Sequence, residues 1–219
     1  MRLDGNIGRA ISTVELIAAA VVIILDLWIP TLIILALLAV SFLARQEKLS
    51  SIGLKKPKHL RKMIVTVLIL AFAWTAIQFS LTLPLLSHLS GTAQNLGGFE
   101  GLKGNALNLF YLLFLTWTLA AFGEEIVYRG YLQKRSRDVF GSALVGIIFA
   151  VAFSSVLFGL AHIEQGVVGV VVTGIDAVFF SILKFHYDDN LFASVLAHGF
   201  NNTIGIVTFF LIGPVYGLW

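Results

Sequence analysis

Seven apolar blocks, at residues 13–27, 31–44, 63–86, 106–132, 140–163, 167–185 and 191–211, leave little of this chain for anything else. A helix of about 20 apolar residues crosses the hydrocarbon core of a bilayer, where every backbone N–H and C=O must be satisfied within the segment. The repetition of such blocks predicts an all-α fold: a polytopic bundle of transmembrane helices forming one domain over residues 1–219. Composition agrees. Of 219 residues, 58% are hydrophobic and 12% charged, about half the charge of an ordinary soluble domain. A soluble core of this size has no room for so much apolar surface.

The first two blocks are short and separated by Asp26-Leu27-Trp28-Ile29-Pro30. A tight hairpin at this point makes about seven helices, the reading adopted; one helix kinked at Pro30 makes six. Arg2 and Arg9 precede the first block, and no polar mature domain follows it, so it reads as a retained membrane segment rather than a cleaved signal. Arg45, Lys48, Lys55, Lys56, Lys58, Arg61 and Lys62 crowd the connection before the third block, and Lys134, Arg135 and Arg137 follow the fourth. Lys103 is the only Lys or Arg in the Gly/Ser/Asn-rich stretch 87–105. The positive-inside rule then places both basic stretches and the N-terminus in the cytoplasm, and 87–105 outside. The net charge of +3 is spent on topology and offers no nucleic-acid surface. With no cysteine, disulfides, thiolate metal sites and cysteine nucleophiles are all excluded.

Against this background the ionisable residues inside the blocks stand out, because a charge in hydrocarbon is costly and is kept where it has work to do. Glu124 and Glu125 lie side by side within block 106–132, with Arg129 one turn on. On a helix Glu125 and Arg129 are i,i+4 neighbours and can pair, while Glu124 points about 100° away. Glu125 is thus the member Arg129 holds, and Glu124 is left to face a cavity as a general base. His162 closes Phe158-Gly159-Leu160-Ala161-His162, and His198 and Asn202 share a face of the last block. Both histidines are expected in apolar helices. Polar groups in a bilayer must find each other or water, so these residues are expected to converge on one cavity.

The pattern Glu-Glu-x-x-x-Arg (Glu124, Glu125, Arg129), Phe-x-x-x-His (Phe158, His162) and His-x-x-x-Asn (His198, Asn202) resembles the three motifs of the CPBP family, the CAAX prenyl proteases and bacteriocin-processing enzymes, also called Abi. Tyr128 and Gly130 fit the usual aromatic-Arg-Gly ending, and the resemblance covers residues 106–212. It implies an intramembrane endopeptidase. Glu124 and His162 would activate water, His198 and Asn202 would donate to the oxyanion, and Arg129 would orient Glu125. Oxyanion donors of this kind contribute ~3 kcal/mol each in a water-poor site. The implied partners are the lipid bilayer and a membrane-bound or lipidated peptide or protein. CAAX-type processing, bacteriocin or signal-peptide maturation, and immunity all remain open as settings. A metal-free site with no cofactor is the favoured reading; a zinc ion on His162, His198 and Glu124 is the alternative. A membrane transporter or proton relay, or a non-catalytic immunity protein of the same fold, are the rival functions. The sequence is silent on oligomeric state.

One geometric conflict stands at this level. A fifth helix starting at Phe140 needs ~33 Å to reach His162 at about 1.5 Å per residue, which carries His162 past the depth of Glu124. Either 131–142 is embedded and amphipathic, or the fifth helix is tilted or starts late. Among lesser candidates, Asp176 either lines a cavity or makes a packed polar contact, beside Gly166, Gly169, Thr173 and Gly174, whose small size suits close helix packing. Glu15 and Asp26 are read as marking the ends of the first block. Lys184, His186, Asp188 and Asp189 are read as a solvated turn.

Overall fold

The computed structural model describes residues 5–218; Arg2 lies outside them. Among the described residues the regular structure is helical throughout and forms seven helices: α1 (Gly5–Ile24), α2 (Pro30–Arg45), α3 (Leu60–Ser90), α4 (Ala106–Phe140), α5 (Leu144–Leu160), α6 (Ile163–His186) and α7 (Leu191–Ile212). Five of them are long and apolar enough to cross a membrane, and α2 and α5 are apolar but shorter. The protein is an all-α membrane bundle.

Burial runs as a bilayer demands. Val14, Phe72, Phe110, Phe114 and Val145 are exposed around the outside, while Ala19, Ile34, Ile52, Val127 and Leu191 are fully buried. Polar side chains gather inside. Buried Gln133 donates to Ser154 Oγ at 3.2 Å and Ser181 Oγ at 2.8 Å, tying α4 to α5 and α6.

The first two blocks form a hairpin. Asp26 (φ 46°) and Trp28 (φ 55°) take left-handed backbone conformations in the turn, and Pro30 opens α2, where its missing N–H costs nothing. The pairing is clasped by charge: Arg45 Nη2 lies 3.0 Å from Glu15 Oε1, and Ser41 Oγ donates to the same oxygen at 2.8 Å. Glu15 therefore sits in the middle of α1 and does not mark its end. The ionic partners explain this: buried Arg135 of α4 also pairs with Glu15, with Glu47 at 2.9 Å and with Asp138 at 2.8 Å.

Two boundaries differ from the sequence reading, and together they remove the conflict over His162. Helix α4 runs on to Phe140 rather than stopping at 132, with Gln133, Arg135 and Ser136 fully buried, so 131–136 packs into the bundle. Gly141 (φ 89°) then breaks the chain and α5 starts late, at Leu144. Helix α5 has 17 residues and is ~25 Å long at about 1.5 Å per residue. It packs along α6, where Gly159 lets the backbones approach: a Cβ there would stand 2.5 Å from Val170 O and 3.5 Å from Gly174 Cα. Of the small residues of α6, Gly174 serves this close packing, whereas a Cβ at Gly166 would meet no described atom within 4 Å and one at Gly169 only Gln165.

Candidate active site

Three places in the fold supply the site: the middle of α4, the turn after α5 and the middle of α7. Within α4 the stretches Thr116–Glu124 and Ile126–Leu132 are π-helical, flanking Glu125. Such wide turns are rare and frequently occur at functional sites. They are invisible to a reading based on 3.6-residue periodicity. Here they set Glu124 toward a cavity of about 320 Å³ and Glu125 away from it. Glu125 is fully buried; its Oε1 lies 3.1 Å from Arg129 Nη1 as an ion pair without hydrogen-bond geometry, and 3.0 Å from His198 Nδ1, which donates to it. The pairing with Arg129 was legible from the i,i+4 spacing. The bond to His198, which joins α4 to α7, was not.

His162 lies in the turn after α5, not in a helix. The helix end accounts for its orientation. The His162 backbone N–H turns to Gly159 O at 3.0 Å, which leaves Phe158 O free, and the ring accepts that opportunity: Nδ1 lies 2.8 Å from Phe158 O. A carbonyl only accepts, so Nδ1 carries the proton, and Nε2 of the neutral ring is an acceptor. In His198 the same logic applies to Glu125. With Nδ1 donating, Nε2 is an acceptor in the neutral ring and a donor only in the imidazolium.

Phe158 is the common wall. Its ring lies 4.8 Å from the His162 ring, 5.7 Å from that of His198 and 4.9 Å from that of Tyr128, and the Arg129 guanidinium stands 4.3 Å from its centre. His198 is also stacked on Phe180 at 4.9 Å. These apolar faces hold the polar groups in single orientations.

Glu124, His162, His198 and Asn202 all line the 320 Å³ cavity, and Glu125 and Arg129 stand behind it. Glu124 Oε2 is buried with no hydrogen-bond partner among the described residues. Asp176 lines the same cavity and is also a packed contact, receiving Trp74 Nε1 at 2.6 Å and Gln78 Nε2 at 2.5 Å. Trp74, Gln78 and Asn201 were missed. Gln78 and Asn201 had a signal, being polar in apolar blocks; Trp74 had none. Asn201 accepts from Thr75 Oγ1 at 2.8 Å. Residues 94, 96 and 99 of the α3–α4 connection line one end of the cavity. Beside them Asn95 is pinned to the turn after His162, its N–H bonding Gln165 O at 2.8 Å and its amide bonding Glu164 O at 2.9 Å.

His162, His198 and Glu124, named above for a zinc ion, share the cavity, yet no group of three or more His, Asp or Glu among the described residues is arranged to hold a metal. No mechanistic step is routed through one. Lys184 corrects the reading of a solvated turn. It is fully buried, donating from Nζ to Arg129 O at 2.6 Å and pairing with Asp189 Oδ1 at 2.8 Å. It satisfies a carbonyl inside the π-helical stretch.

Residues 106–204 match the family described as Rce1-like, type II CAAX prenyl endopeptidase Rce1-like. No curated protein and no solved structure matches the chain.

Proposed function

We propose that this chain, which belongs through residues 106–204 to the Rce1-like CAAX protease family, cleaves a peptide bond in a membrane-associated or lipidated peptide. The observation that carries this reading is the convergence of Glu124, His162, His198 and Asn202, from α4, the α5–α6 turn and α7, on one cavity within a membrane bundle. The cavity has room for ordered water.

The chemistry follows from which atoms are free. A water between Glu124 and His162 gives one O–H to the Glu124 carboxylate and the other to His162 Nε2, aiming its lone pair at the scissile carbonyl carbon. As the oxygen attacks, Glu124 takes the proton and the carbonyl oxygen becomes an oxyanion. Asn202 donates from its amide. His198, held by the Glu125 carboxylate at Nδ1, donates from Nε2 when its ring carries both protons. Each such donor contributes ~3 kcal/mol to the transition state. Collapse breaks the C–N bond, and Glu124 returns its proton to the leaving amine. Arg129 holds Glu125 in place.

The first substrate to test is a quenched-fluorescent peptide with an S-farnesyl cysteine followed by three residues, beside the same peptide without lipid. Cleavage by the purified protein is expected to fall at least a thousandfold in Glu124→Gln and His162→Ala at unchanged expression and membrane insertion. Turnover retained in either variant overturns the mechanism.

A further inference from the structure

Outside the residues assigned to the water and the oxyanion, the cavity holds a second carboxylate whose geometry is only half used. Asp176, in the middle of α6, receives two donors from α3, Trp74 Nε1 at 2.6 Å and Gln78 Nε2 at 2.5 Å, and both converge on Oδ1. The Trp74 ring is itself fixed, stacked on Phe179 at 4.4 Å and 9°. The carboxylate plane is therefore set by protein contacts at one oxygen. Oδ2 receives no donor from the described residues and is not sealed in; the 7% of Asp176 that stays exposed opens on the cavity. Among the described residues no Lys or Arg lines that cavity.

A carboxylate placed in a membrane bundle solely to tie two helices needs one acceptor, which an amide supplies without the charge. The spare oxygen calls for a donor that arrives from elsewhere. A peptide entering this space brings such donors. The N–H groups flanking the scissile bond leave water, and each must be matched or costs the lost hydrogen bond. Two other polar side chains of the cavity, beside Asp176, are already engaged. Thr173 Oγ1 donates to Gly169 O at 2.8 Å, and Asn201 Oδ1 is taken by Thr75 at 2.8 Å.

We propose that Asp176 is a substrate-positioning residue whose Oδ2 accepts a backbone N–H of the bound peptide next to the scissile bond, while Trp74 and Gln78 hold it in that orientation. The inference rests on the peptidase reading above. It assigns to α6, which carries none of the three motifs, an acceptor that the water and the oxyanion do not use.

The test uses Asp176→Asn and Asp176→Ala with the farnesyl-cysteine peptide. In D176N the side-chain oxygen keeps Trp74 and Gln78, so the amide NH₂ faces the cavity and opposes an incoming N–H; the fold is preserved and the acceptor is lost. Both variants are expected to raise KM about ten- to a hundredfold, the value of a charge-assisted hydrogen bond, with kcat within about threefold of wild type. A series of peptides N-methylated at one position each adds a readout that a structural role does not move. One N-methyl group is expected to raise the wild-type KM by the same factor and to leave the D176N KM unchanged. A D176N enzyme with wild-type KM, or one equally sensitive to every N-methyl group, overturns the proposal. Cleavage that depends on Glu124 but not on Asp176 sinks this inference alone; a wild-type protein that cleaves neither peptide removes the peptidase reading and this inference with it.

Discussion

At the scale of single residues, Phe158 does more than mark a motif. A ring 4.3 Å from the Arg129 guanidinium and against both histidines fixes the cation that holds Glu125 and the planes of His162 and His198 at once. Leucine fills most of that volume but offers neither a π face nor a positive ring edge. Phe158→Leu is expected to destabilise the protein by about 1–2 kcal/mol, the sum of a desolvated cation–π contact and an aromatic edge contact. It should also lower kcat more than it raises KM, since the geometry it guards belongs to the transition state. Thermal unfolding in detergent alongside steady-state kinetics measures both. An unchanged kcat would show that Phe158 only fills space. That Glu124, His162, His198 and Asn202 would gather on one cavity was readable because hydrocarbon penalises such groups. The bond that holds His198 was not, since Glu125 and His198 are 73 positions apart and nothing local links them.

At the scale of elements, the π-helical part of α4 is held by groups from another helix. Lys184 of α6 reaches Arg129 O, and its charge is answered by Asp189, which also pairs with Arg137 at 2.9 Å. Lys184→Met leaves that carbonyl without its donor and Asp189 with one cation. Discounted for the partly exposed Asp189, the expected loss is about 2 kcal/mol. The Asp189 end of the network has a pH signature. Burial alone would push its carboxyl up, but the attraction and hydrogen bonds of Lys184 and Arg137 outweigh burial and hold it below the ordinary carboxylate range. A depressed acid stabilises the fold above its unfolded pKa of about 3.9 and loses that contribution as pH falls through the lower folded value. The difference in unfolding temperature between wild type and Asp189→Asn should therefore be constant from about pH 8 to 5 and shrink below about pH 4. A difference that grows on acidification would refute this assignment. Apolar periodicity made seven helices and the α1–α2 hairpin legible. It misplaced the end of α4 and the start of α5, because buried Gln133, Arg135 and Ser136 read as a polar linker until their partners on other helices are known.

At the scale of the whole molecule, the two ends of the bundle are chemically distinct. Lys55 and Lys58 meet Asp188, Arg137 meets Asp189 and Arg135 meets Glu47, all at one end. The cavity lies toward the other, lined there by Gln94, Leu96 and Phe99. The positive-inside rule assigns the basic end to the cytoplasm, so the end that carries the cavity and the 91–105 connection is expected to face the opposite compartment. That orientation bears directly on substrate, since a peptide reaching the cavity from that side differs from one lipidated in the cytoplasm. The chain has no cysteine, so single-cysteine labelling has no background. Lys56 and Thr92 are both exposed, one in each connection. In intact cells a membrane-impermeant maleimide is expected to label Thr92→Cys but not Lys56→Cys, and permeabilisation should expose both. The reverse pattern would overturn the orientation, turn the cavity toward the cytoplasm, and favour substrates lipidated there.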